Sequence, residues 1–379
     1  FLPSKLRQKN IARLREKAAP LDIVMGFGPL SFFDLPAVYD GIALAKAQGL
    51  AMIEHTMENP EEARRYQERV EHYLERYGEK LAPQDQKVLN AVMNIPPLSA
   101  IDGMVKLRRF AGQLLGRDGV GRALSPEDKA LLAPLRRKLP SVVPLLDHLD
   151  VLPGFVSVHS VWLNPADIKA YADKGAVISH NPESNMYLSS GVAPLVEYQE
   201  AGVPVTLATD GAASNDRIDF FTAMRSMTNL QKAYNMNAEL SSEIEPWDIL
   251  EAATIAGAKA LALEKRTGSI APGKEADLVL LNRDVIGMAP YVGQKKVDNR
   301  AAIIVNSASA RDVNTVISDG NIVVAEGQLQ GHDEADLARR LDEIADKVVR
   351  RVRDGKLWDQ VYPLSGLQQY ASVRKADRL

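Results

Sequence analysis

Four places in this sequence combine residue types and positions suited to chemistry. They are His55-Thr56-Met57-Glu58, His159, His180 and Thr209-Asp210, and each closes a short apolar run rich in Val, Ile and Leu. Imidazole and carboxylate are the groups that carry protons near neutral pH and hold metal ions. The chain has six histidines, and three of them stand at the ends of such runs. The remaining three, His72, His148 and His332, fall in or beside helical patterns, where a surface or packing role is expected. This bias of position argues for chemistry more strongly than any single residue does.

The elements that must position these groups are legible as alternating strands and helices. Apolar runs at Leu21–Met25, Leu50–Ile53, Phe155–Val158, Ala176–Ser179 and Val203–Leu207 predict buried parallel strands. Between them, Asn59-Pro60-Glu61-Glu62 supplies an N-cap, a first-turn proline and two acids, opening a helix that runs to Gly78. Asn164-Pro165-Ala166-Asp167 opens a second helix toward Gly175. Strands followed by helices predict an α/β fold, and where such a chain closes into a (β/α)8 barrel of the TIM type its catalytic groups lie at the C-terminal ends of the strands.

Residues 1–265 are expected to form this barrel, with a helical insertion over 79–150 that includes a helix start at Ser125-Pro126-Glu127-Asp128. The insertion reads equally as a lid or as a packing or oligomer element. Residues 266–332 predict part of a small β-sandwich, including a hairpin turned at Asp319-Gly320-Asn321. Residues 333–379 predict an amphipathic helix and tail, with Leu337, Leu341, Ile344, Val348 and Val352 on one face.

Composition removes several classes of function. The 379 residues are 46% hydrophobic and 25% charged, the balance of an ordinary globular protein. A net charge of −3 supplies no field for nucleic acid or an anionic membrane. No apolar run approaches a membrane span. With no cysteine there is neither a disulfide framework nor thiolate chemistry. The expected partner is a small molecule, in a cytoplasmic protein that could form a homo-oligomer.

Three stretches together carry a resemblance: His159-Ser160-Val161-Trp162-Leu163, Ser179-His180-Asn181-Pro182-Glu183-Ser184-Asn185, and Thr209-Asp210-Gly211-Ala212-Ala213-Ser214-Asn215. With His55-x-x-Glu58 before them and Gly268–Leu281 after them, they resemble the triazine hydrolase and aminohydrolase branch of the amidohydrolase superfamily. That branch includes guanine, cytosine and adenosine-analogue deaminases. The resemblance implies one divalent metal, zinc by preference with iron or manganese as alternatives, held in part by His55 and Asp210. It implies catalytic roles for Glu58, His159 and Asp210, with Glu58 moving protons to the ring nitrogen and to ammonia. His159, Asn181, Ser184, Asn185 and Thr209 would orient substrate, and His180 would belong to a structural turn. Trp162 is expected in barrel packing. The implied reaction is hydrolytic deamination of an amino-substituted purine, pyrimidine, pterin or triazine.

The sequence departs from that family in one respect. No His-x-His occurs in it, and five of eight strands are legible, the first resembling the family's fourth with Gly26-Phe27-Gly28-Pro29 as its loop. The chain begins with Phe, so the expectation is that its start is processed or missing and that the first strands lie in a longer protein. Two rivals remain at this point: triazine dechlorination or dealkylamination on the same site, and a non-catalytic pseudo-enzyme subunit. A metal-independent barrel enzyme is weaker still, since no phosphate-binding glycine loop or strand-end lysine is evident.

Overall fold

The computed structural model describes residues 25–26, 35–48, 50–78, 81, 83–93, 141–215, 217–235, 242–294 and 297–354. Five parallel strands form one sheet in chain order: β1 (Met25–Gly26), β2 (Met52–Thr56), β3 (Val156–His159), β4 (Val177–His180) and β5 (Val205–Leu207). The strands fall on the five predicted apolar runs. Of the first run only Met25 is described; Leu21–Val24, most of the Gly26–Pro29 loop, the Ser125 helix start and the tail beyond Asp354 lie outside the described residues. Of the 79–150 insertion, helices over Pro83–Met93 and Val143–His148 are described.

Every residue of β3 is buried, which suits a strand covered on both faces. Phe155, Ile178, Leu152 and Leu163 pack with the two deepest tyrosines, Tyr171 and Tyr198, in the core around this sheet. One difference from expectation matters for the site. β2 runs on through His55 to Thr56, because the β2–β3 ladder continues as far as the Thr56–His159 pair. His55 is thus a strand residue, one place before the end.

Helices pack between and after the strands. α1 (Leu35–Gln48) precedes β2, and α2 (Pro60–Tyr77) follows it. The Asn59 side chain caps α2 by accepting from Glu62 N–H at 3.0 Å. α3 (Pro83–Met93) and α4 (Val143–His148) lead to β3. Between β3 and β4, α5 (Pro165–Lys174) starts in a capping box. Asn164 Oδ1 accepts from Asp167 N–H at 3.0 Å, and Asp167 Oδ2 accepts from Asn164 N–H at 3.1 Å. The helix stops at Gly175, whose φ of 76° is left-handed and suits glycine. α6 (Pro182–Tyr187) and α7 (Leu195–Ala201) separate β4 from β5, and α8 (Phe220–Asn235) follows β5.

The described residues divide into two compact units, one of those up to Asp277 with Asn282–Asp312 and one of Leu278–Leu281 with those from Val313 onward. The second holds an antiparallel sheet ordered Gln328–Leu329, Asn321–Ala325, Val313–Ser318, Leu278–Leu281, followed by a helix over Glu334–Asp354. Its hairpin turns at Asp319 and Gly320, both at positive φ, as the Asp-Gly pair predicts. Among the described residues no helix is long and apolar enough to cross a membrane.

Replacing Asn164 with Ala removes the α5 cap and should cost about 1 kcal/mol. Urea unfolding of the two proteins checks this; an unchanged midpoint would show that Asp167 and the tertiary packing hold the helix start without it.

Candidate metal and proton-transfer site

At the C-terminal edge of the sheet, β2, β3 and β5 bring His55, Glu58, His159 and Asp210 together. The His55 and His159 rings meet edge to face with centroids 4.6 Å apart. His159 Nε2 lies 3.9 Å from Glu58 Oε2 and 3.8 Å from Asp210 Oδ2. One donor atom each from His55, Glu58 and His159 falls within 4.8 Å of the others. These gaps are too long for direct hydrogen bonds. His159 Nε2 is buried and has no hydrogen-bond partner among the described residues.

The backbone leaves the strands abruptly here. Met57, His159, Ser160 and Asp210 all have φ between 51° and 68°, in the left-handed region that non-glycine residues rarely enter. Such strain collects at sites where the surrounding structure over-determines the chain. For the first turn, that structure is Glu62. Its carboxylate accepts from Met57 N–H at 3.1 Å and Glu58 N–H at 2.8 Å, clamping the loop between β2 and α2.

A single segment, residues 184–190, holds three of the four groups. Ser184 Oγ donates to Asp210 Oδ2 at 2.7 Å. Asn185 Oδ1 lies 2.9 Å from His159 Nδ1. An amide oxygen only accepts, so Nδ1 carries a proton and Nε2 is the ring nitrogen turned toward the two carboxylates. Ser190 Oγ donates to Glu58 Oε1 at 2.8 Å. Asp210 is held further by Gly211 N–H, 2.7 Å from Oδ1.

Charge states follow from these surroundings. Burial pushes the Asp210 carboxyl up, yet hydrogen bonds from Ser184, Gly211 N–H and Ser214, with the field of His159, bring it below its ordinary value. Asp210 is therefore an ionised carboxylate. The His55 imidazole is lowered by burial first and by His159 second, against the pull of Glu58 and Asp210. It is held neutral, the form that ligates metal.

The remaining sequence candidates take supporting positions. Asn181, turned with its amide nitrogen toward Ser179, donates to the Ser179 carbonyl at 3.0 Å and ties down its own turn. Thr209 Oγ1 donates to the Asp210 carbonyl at 3.2 Å, and Asn215 Nδ2 donates to the Thr209 carbonyl at 3.0 Å. His180 is fully buried, and burial lowers its pKa to about 3. Trp162 packs against the core and donates through Nε1 to the Ser190 carbonyl at 2.8 Å. His72 is exposed in α2, and His332 is exposed just before the C-terminal helix. Ser190 and Glu62 were not foreseen as site residues. Glu62 was legible as a first-turn acid but pointed to the helix dipole, whereas Ser190 had no signal beyond a turn-rich Ser-Ser-Gly.

The donor set fits a divalent metal. Two imidazoles and two carboxylates face one gap, and the buried Nε2 of His159 lacks a partner there. Carboxylate oxygens opposed across such a gap repel one another, and a divalent cation held there would remove that repulsion.

The chain resembles known proteins in sequence and in fold. The sequence model of the amidohydrolase family matches residues 34–323. A 5'-deoxyadenosine deaminase of Methanothermobacter thermautotrophicus is 41% identical over 193 residues, 51% of this chain and 43% of that protein. A 5-methylthioadenosine/S-adenosylhomocysteine deaminase of Desulforudis audaxviator is 38% identical over 198 residues, 52% of this chain and 44% of that protein. The chain thus spans less than half the length of these curated relatives. The crystal structure of a zinc-bound adenosine deaminase from Xanthomonas campestris superposes with a TM-score of 0.60 at 21% identity, covering 90% of this chain and 61% of that one. At that identity the likeness shows the fold, a TIM-type (β/α)8 barrel of which the five parallel strands are part.

The Glu62 clamp has a pH signature. Burial raises its carboxyl from 4.5 to about 7, against backbone hydrogen bonds that favour ionisation. The folded chain then keeps a proton that the unfolded chain loses above pH 4.5, so stability falls as pH rises toward 7. Between pH 5 and 7.5 the parent should lose on the order of 2 kcal/mol relative to Glu62→Gln. Urea unfolding at both pH values checks this, and parallel profiles for the two proteins would refute it.

Proposed function

The chain belongs to the amidohydrolase family, and from that we propose that it carries the acid–base residues of a metal-dependent deaminase acting on an amino-substituted nitrogen heterocycle. The observation that carries this reading is the meeting of His55, Glu58, His159 and Asp210 around one gap. The names of the relatives favour an adenosine-like nucleoside as substrate. The zinc in the Xanthomonas enzyme, with imidazole and carboxylate donors here, favours zinc as the metal. Iron and manganese accept the same donors.

His55 and Asp210 would hold the ion, beside the Nε2 of His159. When bound, a divalent cation supplies Lewis acidity that makes water a nucleophile near neutral pH. The rest falls to this chain's side chains. Asp210, kept ionised by its hydrogen bonds, orients the attacking water and accepts its proton. The water oxygen bonds to the ring carbon that bears the amino group. Glu58 hands its proton to the ring nitrogen, takes up the second proton of the attacking water and passes it to the departing nitrogen, so that the C–N bond breaks and ammonia leaves; the first water proton, held on Asp210, then restores Glu58. His159, fixed through Nδ1 by Asn185, presents Nε2 to the incoming oxygen. Ser184 and Asn185 act through Asp210 and His159, so their contribution is orientation.

Glu58→Gln should lower ammonia release from a 5'-substituted adenosine by ~10²–10⁴-fold, the share of a positioned general acid–base. Metal per chain, read by elemental mass spectrometry, should stay unchanged. A fully active Glu58→Gln protein would remove Glu58 from the proton path. His55→Ala should lose both metal and turnover; retained metal would exclude His55 as a ligand.

A further inference from the structure

We infer that Ser190 is a positioning residue that decides which oxygen of Glu58 carries the mobile proton; this rests on Glu58 being the proton carrier. Ser190 and Glu58 are 132 residues apart in sequence, yet Ser190 Oγ donates to Glu58 Oε1 at 2.8 Å. The other oxygen, Oε2, is the one that faces His159 Nε2 across 3.9 Å. A hydroxyl donating to Oε1 ties up a lone pair there and makes that oxygen the weaker base. The proton taken up by Glu58 therefore sits on Oε2, the oxygen turned toward the reacting groups. From Oε2 it passes to the ring nitrogen, and Oε1 remains an acceptor of the Ser190 hydrogen bond in both states.

Ser190 is built to hold this bond. It is buried, and each of its polar groups is committed. Its N–H donates to the Asn185 carbonyl at 2.7 Å, and its carbonyl accepts from Trp162 Nε1 at 2.8 Å. On either side the backbone is constrained. Ser189 has a φ of 56°, and Gly191 has a φ of 122° with Val161 Cγ1 only 3.0 Å from where a Cβ would stand. The backbone that carries the hydroxyl is thus held in place, and the Asn185 end of the same segment fixes His159. A serine placed only to satisfy its own hydroxyl would need none of this agreement between the two ends of one segment.

The test compares the parent, Ser190→Ala, Ser190→Thr and Glu58→Gln in the intact metal-loaded protein. It reads kcat and KM for ammonia release, metal per chain, and the melting temperature. The expected result is a roughly 10–100-fold fall in kcat for Ser190→Ala, with KM and metal content unchanged and a crystal structure showing the Glu58 carboxylate rotated. Ser190→Thr, which keeps the hydroxyl, should recover most of the loss. Full kcat in Ser190→Ala while Glu58→Gln is dead would overturn the inference and leave the role of Glu58 standing. Equal losses in the Ala and Thr variants, tracking a lowered melting temperature, would overturn it in favour of a packing role. An active Glu58→Gln protein would instead overturn the reading on which the inference rests.

Discussion

Parallel strand register is the constraint on which the site depends. The β2–β3 ladder pairs Thr56 with His159, and the β4–β5 ladder pairs His180 with Leu207. These pairings set the strand ends level, so that groups distant in sequence leave the sheet at one height. A slip of one residue in β3 would turn His159 to the opposite face of the sheet. The site is therefore specified by the apolar residues that fix the ladders, Val156, Val158, Ile178 and Leu207 among them, as much as by the groups that face the gap.

The interior beneath the site contrasts with the site itself. Ser157 Oγ lies 2.7 Å from Ser160 Oγ and 2.9 Å from the Tyr171 hydroxyl, and the Tyr198 hydroxyl donates to the Ser160 carbonyl. These buried hydroxyls are satisfied, as buried polar groups almost always are. A few ångströms away, His159 Nε2 and both ring nitrogens of His180 have no hydrogen-bond partner among the described residues. For His180 the cost is contained because burial keeps the ring neutral. For His159 the open nitrogen faces two carboxylates across gaps of 3.9 and 3.8 Å.

Much of this was legible in the sequence. Strand-end positions identified His55, His159 and Asp210 because a buried parallel strand reads as an unbroken apolar run, and a histidine or aspartate at its end stands out. Asn59 and Asn164 announced their helices because capping is a local interaction between residues two or three apart. The Asp319-Gly320 turn was legible for the same reason. What escaped is what depends on tertiary contact. Ser190 meets Glu58 only because two loops converge, and no local pattern records that. Glu62 showed its type and place but not its direction. It serves the loop that precedes its helix, where burial among backbone N–H groups outweighs any effect of the dipole.

The left-handed backbone at Asp210 has a consequence for substitution at that position. Glycine enters that conformation freely, and aspartate does so at a cost. The side chain is only 18% exposed and accepts hydrogen bonds from Ser184 Oγ and Gly211 N–H, so its removal would set relief of the torsion against loss of those bonds. Glycine at position 210 would relieve the torsion and leave the Ser184 hydroxyl and the Gly211 N–H without their acceptor. Torsional strain and hydrogen bonding thus oppose one another at a single backbone position.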